Sequence, residues 1–130
     1  MGTSALLGPL ARSRYMALET KRRDGSWVVT PVNLVVDGPA VVFRTWSTSG
    51  KAKRLANFSE VRIAPCTARG RATGDRLAGQ AVLEAGEDDR RAAELVDRRY
   101  PILHGVLVPL THRVRGYRTV HYRIEQIAAA

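Results

Sequence analysis

"YMALETKRRDGSWVVTPVNLVVDGPAVVFRTW", Tyr15 to Trp46, is the stretch that decides the fold. It reads as three extended runs separated by two turns. "YMALET", within Arg14 to Arg22, forms the first strand. "RRDGS" follows, and Asp24-Gly25 tolerates the positive φ of a tight hairpin. "WVVTPVNLVV", Trp27 to Val36, is rich in β-branched residues and reads as one second strand. "DGP", Asp37 to Pro39, is another turn, and "AVVFRTW", Ala40 to Trp46, is a third strand. Two hairpins in series predict an antiparallel meander.

Outward from this stretch the elements alternate less regularly. Thr3 to Arg12 reads as a short helical lead-in, interrupted by Gly8 and Pro9. Gly50 to Phe58 reads as a helix whose buried stripe is Ala52, Leu55, Ala56 and Ser59, spaced i, i+3, i+4, i+7. "VRIAPC", Val61 to Cys66, is a fourth strand, in which Pro65 requires an edge or an end. Thr67 to Arg76 is a polar loop, and Leu77 to Ala85 is a fifth strand. Glu87 to Tyr100 opens on acids and closes on arginines, which complements a helix dipole. Leu103, Val106, Leu107, Leu110 and Val114 continue a helical spacing, with a kink at Pro109 and an end at Gly116. In the last strand, "YRTVHYRIEQI", Val120, Tyr122 and Ile124 share one face. Thr119, His121, Arg123 and Glu125 share the other, which suits a sheet with one wet side. No βαβ alternation and no internal repeat is present. The order predicts an α+β chain, mostly β, with about six antiparallel strands and two to four helices in a small barrel or open sheet. The 130 residues fit a single domain over 1–130.

The net charge is +9 and the sequence pI about 10.8, a balance that attracts nucleic acid, membrane surfaces or phosphorylated small molecules. Of the 21 Lys and Arg residues only Lys21, Lys51 and Lys53 are lysine, and an arginine bias this strong also arises from codon composition. Cys66 is the one cysteine, so no intramolecular disulfide forms, and a reducing cytoplasm is the expected setting. The first residues do not read as a signal peptide, and the apolar run Gly105 to Leu110 is far too short to span a membrane.

"RTWSTSGKAKRLANF", Arg44 to Phe58, concentrates the candidate chemistry. Ser49 is a preferred N-cap, Gly50 lets a ligand approach the backbone, and the first N–H groups of a helix favour an anion. Lys51 in the first turn opposes the helix dipole, and a phosphate there would offset that cost. Ser49, Lys51 and Arg54 therefore read either as a phosphate cradle or as a capped amphipathic helix with a solvated basic face. The stretch lacks the leading glycine and spacing of a P-loop. Zinc-ligand spacing, a helix-turn-helix pattern and a ribonucleoprotein motif are absent, and aromatics are only 6%, so nucleic-acid binding is the minor reading. His104, His112 and His121 have no ligand spacing with Cys or carboxylates, so no metal site is expected. Asp88 and Asp89 read as helix N-terminal charges, and Cys66 as a small packed residue. Tyr117, His121 and Tyr122 lie near the C-terminus, and no motif makes any of them a proton donor.

In order, "LETKRRDGSWVVTPVNLVVDG", "VVFRTWSTSGKAKRLANFSEVRIAPC" and "RGRATG" resemble the pyridoxamine-phosphate-oxidase-like flavin/deazaflavin oxidoreductases. Within them the resemblance is to the actinobacterial class that uses coenzyme F420. It covers residues 15 to 85 well and the last strand loosely. It implies a split β-barrel that forms a homodimer, with a cofactor in a groove at the subunit interface. Residue by residue, it implies that Thr30, Pro31 and Val32 line the ring. Arg44, Thr45, Ser49, Lys51 and Arg54 would hold the phosphate side, and Ala64, Pro65 and Cys66 a neighbouring wall. Arg69 and Arg71 would be further contacts. The chain also departs from the family. The pyridoxamine phosphate oxidases carry Arg-Lys after the serine, where this chain has Gly50-Lys51. Their Arg-and-His signature near the C-terminus is not reproduced in "GYRTVHYRIEQI". Pyridoxamine phosphate oxidation is therefore not expected. The implied cofactor is F420, with FMN as the alternative. The implied activity is hydride transfer to an electron-poor small molecule. The alternatives are an FMN-dependent oxidoreductase and a non-catalytic flavin- or tetrapyrrole-binding protein.

Overall fold

A computed structural model describes residues 2–101 and 118–130, the side chains of 2–4 excepted. The helical spacing expected at Leu103 to Val114, the kink at Pro109 and the stop at Gly116 lie outside the described residues, as do His104, His112 and Tyr117. The described elements are helix α1 (Gly2–Ala11), strands β1 (Tyr15–Lys21), β2 (Trp27–Asn33), β3 (Val35–Asp37) and β4 (Ala40–Trp46), helix α2 (Gly50–Asn57), strands β5 (Glu60–Cys66) and β6 (Leu77–Leu83), helix α3 (Gly86–Arg99) and strand β7 (Thr119–Ala129). The turns form as their chemistry dictates. Gly25 takes φ +90° and Gly38 φ +60°, and Asp24 Oδ1 accepts from the backbone N–H of Ser26 at 2.9 Å.

All seven strands join one antiparallel sheet in the order β2-β1-β5-β6-β7-β4-β3. This corrects the expected meander. The run Trp27 to Val36 is not one strand but two, split at Leu34, and its halves pair with opposite edges of the sheet. β2 pairs with β1 and β3 with β4. Leu34, fully buried, is the joint at which the two edges of the curled sheet meet. The split accounts for seven strands where about six were expected. Pro65 lies near an end of β5, as its missing N–H requires. Pairing of β5 with β6 stops at Ile63↔Leu77, before it reaches the proline.

The inner face holds Met16, Leu18, Val32, Val41, Phe43, Val61, Ile63, Tyr122 and Ile124, with Leu7 and Leu10 of α1 closing the barrel. In β7, Ile124 and Ile127 both enter this core although they stand three positions apart, an odd spacing. A register shift at Gly79 and a positive φ of 55° at Gln126 reset the alternation between them. A Cβ on Gly79 would lie 2.7 Å from Ile124 Cγ2 and 3.3 Å from Ile127 Cγ1. Gly79→Ala is accordingly expected to lower stability by about 1–3 kcal/mol, read as a lower denaturation midpoint at unchanged slope.

The face of β7 expected to be wet is covered. α3 packs on the outside of β4 and β7, where Val42, Ala92, Val96 and Tyr100 form a second apolar cluster. His121 is only 2% exposed beneath it. In α2, Ala52 and Leu55 are buried as expected, while Ala56 and Ser59 are exposed, so the apolar stripe is half as long as its spacing suggested. Among the described residues no helix is long and apolar enough to cross a membrane.

Candidate functional site

β4 delivers the chain to α2. Phe43 and Thr45 point inward, and the hydroxyl of buried Thr45 lies 3.1 Å from Ser49 Oγ. Ser49 caps α2, its Oγ accepting from the N–H of Ala52 at 3.1 Å. Over this helix start lie two cations. Arg54 folds back so that Nε donates to Thr20 Oγ1 at 2.6 Å, and a Cβ on Gly50 would meet its Nη1 at 2.9 Å. Lys51, half-buried, stands beside it. Among the described residues neither has a carboxylate partner. Burial, and secondarily the charge of Arg54, hold the Lys51 ammonium below the usual lysine range. Burial, then Arg22 on the β1–β2 turn, depress Arg54. An anion at this point would relieve both repulsions, so the donor set fits a phosphate. A second observation agrees. Thr30 Oγ1 is buried with no hydrogen-bond partner among the described residues. In the ladder Thr30 pairs with Leu18, and Thr20 with Val28, which puts the two threonines one rung apart on one face.

The strands also bring the distant triplets together. Pro31, Ala17 and Ala64 lie side by side across β2, β1 and β5, as do Val32, Met16 and Pro65. The 67–76 loop folds back on them. A Cβ on Gly70 would lie 3.6 Å from Pro31 Cδ, and one on Gly74 2.7 Å from Pro65 Cγ. Arg76 of this loop pairs with buried Glu19 at 2.8 Å. Arg69 and Arg71, on the same loop, are exposed. Parity limits what each triplet can do, because successive strand residues face opposite sides. Thr30, Val32 and Pro65 point into the barrel, whereas Pro31, Ala64 and Cys66 point outward. The side chains of Thr30, Pro31 and Val32 therefore do not form one wall, and any shared lining by the three involves their backbone. β2 is, however, an edge of the described sheet, so its backbone groups on that side are not spent on a neighbouring strand. Burial raises the Cys66 thiol above its ordinary range, which suits a packed residue rather than a nucleophile.

The same parity removes Arg44 from the cradle. Arg44 points outward, opposite Thr45, into α3. Its Nε donates to His121 Nε2 at 2.9 Å, and its Nη2 lies 2.9 Å from Asp97 Oδ1. Thr20 and Arg22 join the site instead. A hydroxyl at a core-facing position of "YMALET", in step with Met16 and Leu18, is the signal that would have found Thr20. Among the described residues no cluster of His, Cys, Asp and Glu could hold a metal. A cavity of about 870 Å³ lies away from the cradle. It is a groove on the outer face, walled by Trp27, Arg62, Arg76, Gln80 and Gln126.

Gly50→Ala separates the cradle from the fold. The new methyl meets only the mobile end of Arg54. Stability is expected to change by at most about 1 kcal/mol, while affinity for an anionic ligand falls as the guanidinium is displaced. Denaturation and ligand titration of the same variant check this.

No protein-family model matches this chain, and no curated protein is significantly similar to it. Solved structures do match. A Listeria innocua protein assigned as a pyridoxamine 5'-phosphate oxidase superposes with a TM-score of 0.65 at 18% identity, covering 98% of this chain and 96% of that one. An F420 reductase does so with a TM-score of 0.59 at 17% identity, covering 99% and 95%. The heme storage protein HutZ of Vibrio cholerae gives a TM-score of 0.69 at 12% identity, covering 97% and 92%. At these identities the likeness is one of fold. The chain has the split-barrel architecture that its sequence resemblance implied.

Proposed function

We propose that this split barrel is an oxidoreductase that binds the phosphate of a flavin-type cofactor at the start of α2, with F420 as the cofactor and FMN as the alternative. The observation that carries the reading is the pair Lys51 and Arg54, half-buried over a capped helix N-terminus without a carboxylate partner among the described residues. Ser49, the N–H groups behind Gly50, Lys51 and Arg54 hold the phosphate, and the unpartnered Thr30 hydroxyl faces the same region. The edge backbone of β2 and the outward side chains of Pro31, Ala64 and Cys66 border the ring. A second copy of the chain, packed on the outer face, closes the site in a homodimer. When bound, the cofactor supplies hydride transfer to an electron-poor small molecule. The chain's own part is anchoring the anion, orienting the ring and excluding water. The setting proposed is cytoplasmic. The purified protein should bind F420 or FMN saturably, and turnover with an unsaturated acceptor should follow. No binding of either cofactor would refute the proposal.

A second reading has support from one neighbour, the heme storage protein, whose fold this chain shares. On that reading the chain is a non-catalytic flavin or tetrapyrrole carrier. Binding without turnover against every acceptor tried would favour it.

A further inference from the structure

The cluster beneath α3 is not used by the site at α2, and its chemistry is tightly constrained. His121 of β7 is buried between two partners. Nε2 faces Arg44 Nε at 2.9 Å, and Nδ1 faces Asp89 Oδ1 of α3 at 2.8 Å. A guanidinium Nε always carries hydrogen, so Nε2 must accept. The single imidazole proton is then on Nδ1, donated to Asp89. Arg44, held by that bond, reaches α3 twice more, at Asp97 Oδ1 (2.9 Å) and the carbonyl of Ala93 (3.4 Å). His121 is thus the piece that joins two attachments of α3 to the sheet.

The geometry points to an acid-sensitive latch: α3 stays docked while His121 is the neutral Nδ1–H tautomer, and a proton added at Nε2 releases it. That proton takes the lone pair on which Arg44 Nε–H is bonded. Two N–H donors then face each other, and Arg44 loses the contact that aims it at Asp97 and Ala93.

The other charges around His121 do not offer the proton an easy home. On its own strand Arg123 is committed to Glu84 (2.7 Å), at the end of β6, and to Asp37 (2.8 Å), at the end of β3. Asp37 also takes Arg91 of α3 at 2.9 Å. From β4 comes Arg44, and from α3 Asp89 and Asp97. Burial, the largest influence, and Arg44 lower the affinity of His121 for a proton, and Asp89 and Asp97 only partly restore it. A histidine freed from the cluster titrates near 6.5, the ordinary value. Neutral His121 therefore contributes its full stabilisation of docking above pH 6.5, and that contribution is lost as pH falls toward the lower docked value.

Amide hydrogen exchange on the full chain tests the latch. With intrinsic rates corrected, protection of the Ala92 and Val96 amides should fall by about fivefold between pH 6.5 and about 5.5, one proton per opening. The range stays above about pH 5.5, clear of the ordinary carboxylate range. In His121→Gln, which retains an acceptor for Arg44 and does not titrate, the slope should vanish. Should that variant not fold, nitrogen shifts of the His121 ring in the intact protein still decide. They should show Nδ1 protonated and Nε2 bare at neutral pH. A flat pH response of α3, an equal slope in His121→Gln, or a proton on Nε2 at neutral pH overturns the inference.

Discussion

Phe43→Ala is expected to cost about 3–5 kcal/mol of folding stability. Phe43 is fully buried on the inner face of β4, its ring stacked on Tyr122 at 5.3 Å between centroids and 13° between planes. It lies where β4 pairs with β7, opposite Tyr122 in register. Truncation removes the transfer free energy of the ring, leaves a cavity that the sheet cannot collapse into, and forfeits the stacking, itself worth about 0.5–1.5 kcal/mol. Domains of this size are stable by only about 5–15 kcal/mol, so the variant keeps a small margin. Val29, 51% exposed on β2, supplies the contrast. Val29→Ala should move stability by no more than about 0.5 kcal/mol. Urea unfolding of both variants checks the pair. Similar midpoints would mean that the inner face is not the core.

Much of this architecture was legible because local chemistry and global structure agree. Asp24-Gly25 and Asp37-Gly38 turn where their φ preferences say, and α3 begins on Glu87, Asp88 and Asp89 and ends on Arg98 and Arg99. What was not legible depends on closure of the sheet. Nothing in "VNLVV" distinguishes Leu34 from its neighbours. It becomes a joint only because the sheet curls until its first and last edges meet there. The dry outer face of β7 was missed for a related reason. His121 and Arg123 look like solvent residues until α3 arrives with Asp89, and Asp37 and Glu84 arrive with the strand ends to pair them. At the candidate site, capping and the helix dipole marked Ser49, Lys51 and Arg54 as either a phosphate cradle or a solvated basic face, and the structure sets Lys51 and Arg54 half-buried near the Ser49 cap. Strand parity separates Arg44 from Thr45. Neighbours on one strand cannot both face one ligand, so Arg44 and Thr45 were never compatible as partners.

Lys51→Ala is expected to weaken binding of a phosphate-bearing flavin or deazaflavin by about ten- to a hundredfold. One charge-assisted hydrogen bond to an anion contributes about 1.5–3 kcal/mol, and each 1.4 kcal/mol is about tenfold. The same change should leave the ligand-free protein as stable as before, or stabilise it by up to about 1 kcal/mol. Lys51 is a half-buried cation beside Arg54, set against the positive end of α2, and its removal relieves both repulsions. Opposite signs in stability and affinity mark a residue kept for a ligand. Loss of stability with unchanged affinity would mark an ordinary packing residue instead.

The central claim is that α2 holds a phosphate belonging to a larger ring-bearing molecule. Parallel fluorescence titrations with FMN and with riboflavin, which has the same ring and no phosphate, test it most directly. F420 and its phosphate-free deazaflavin core form the matching pair. In at least one pair the phosphate-bearing form should bind tighter by about tenfold or more, and Lys51→Ala should erase the difference. Equal affinity for both members of each pair, or binding of neither, would contradict the account.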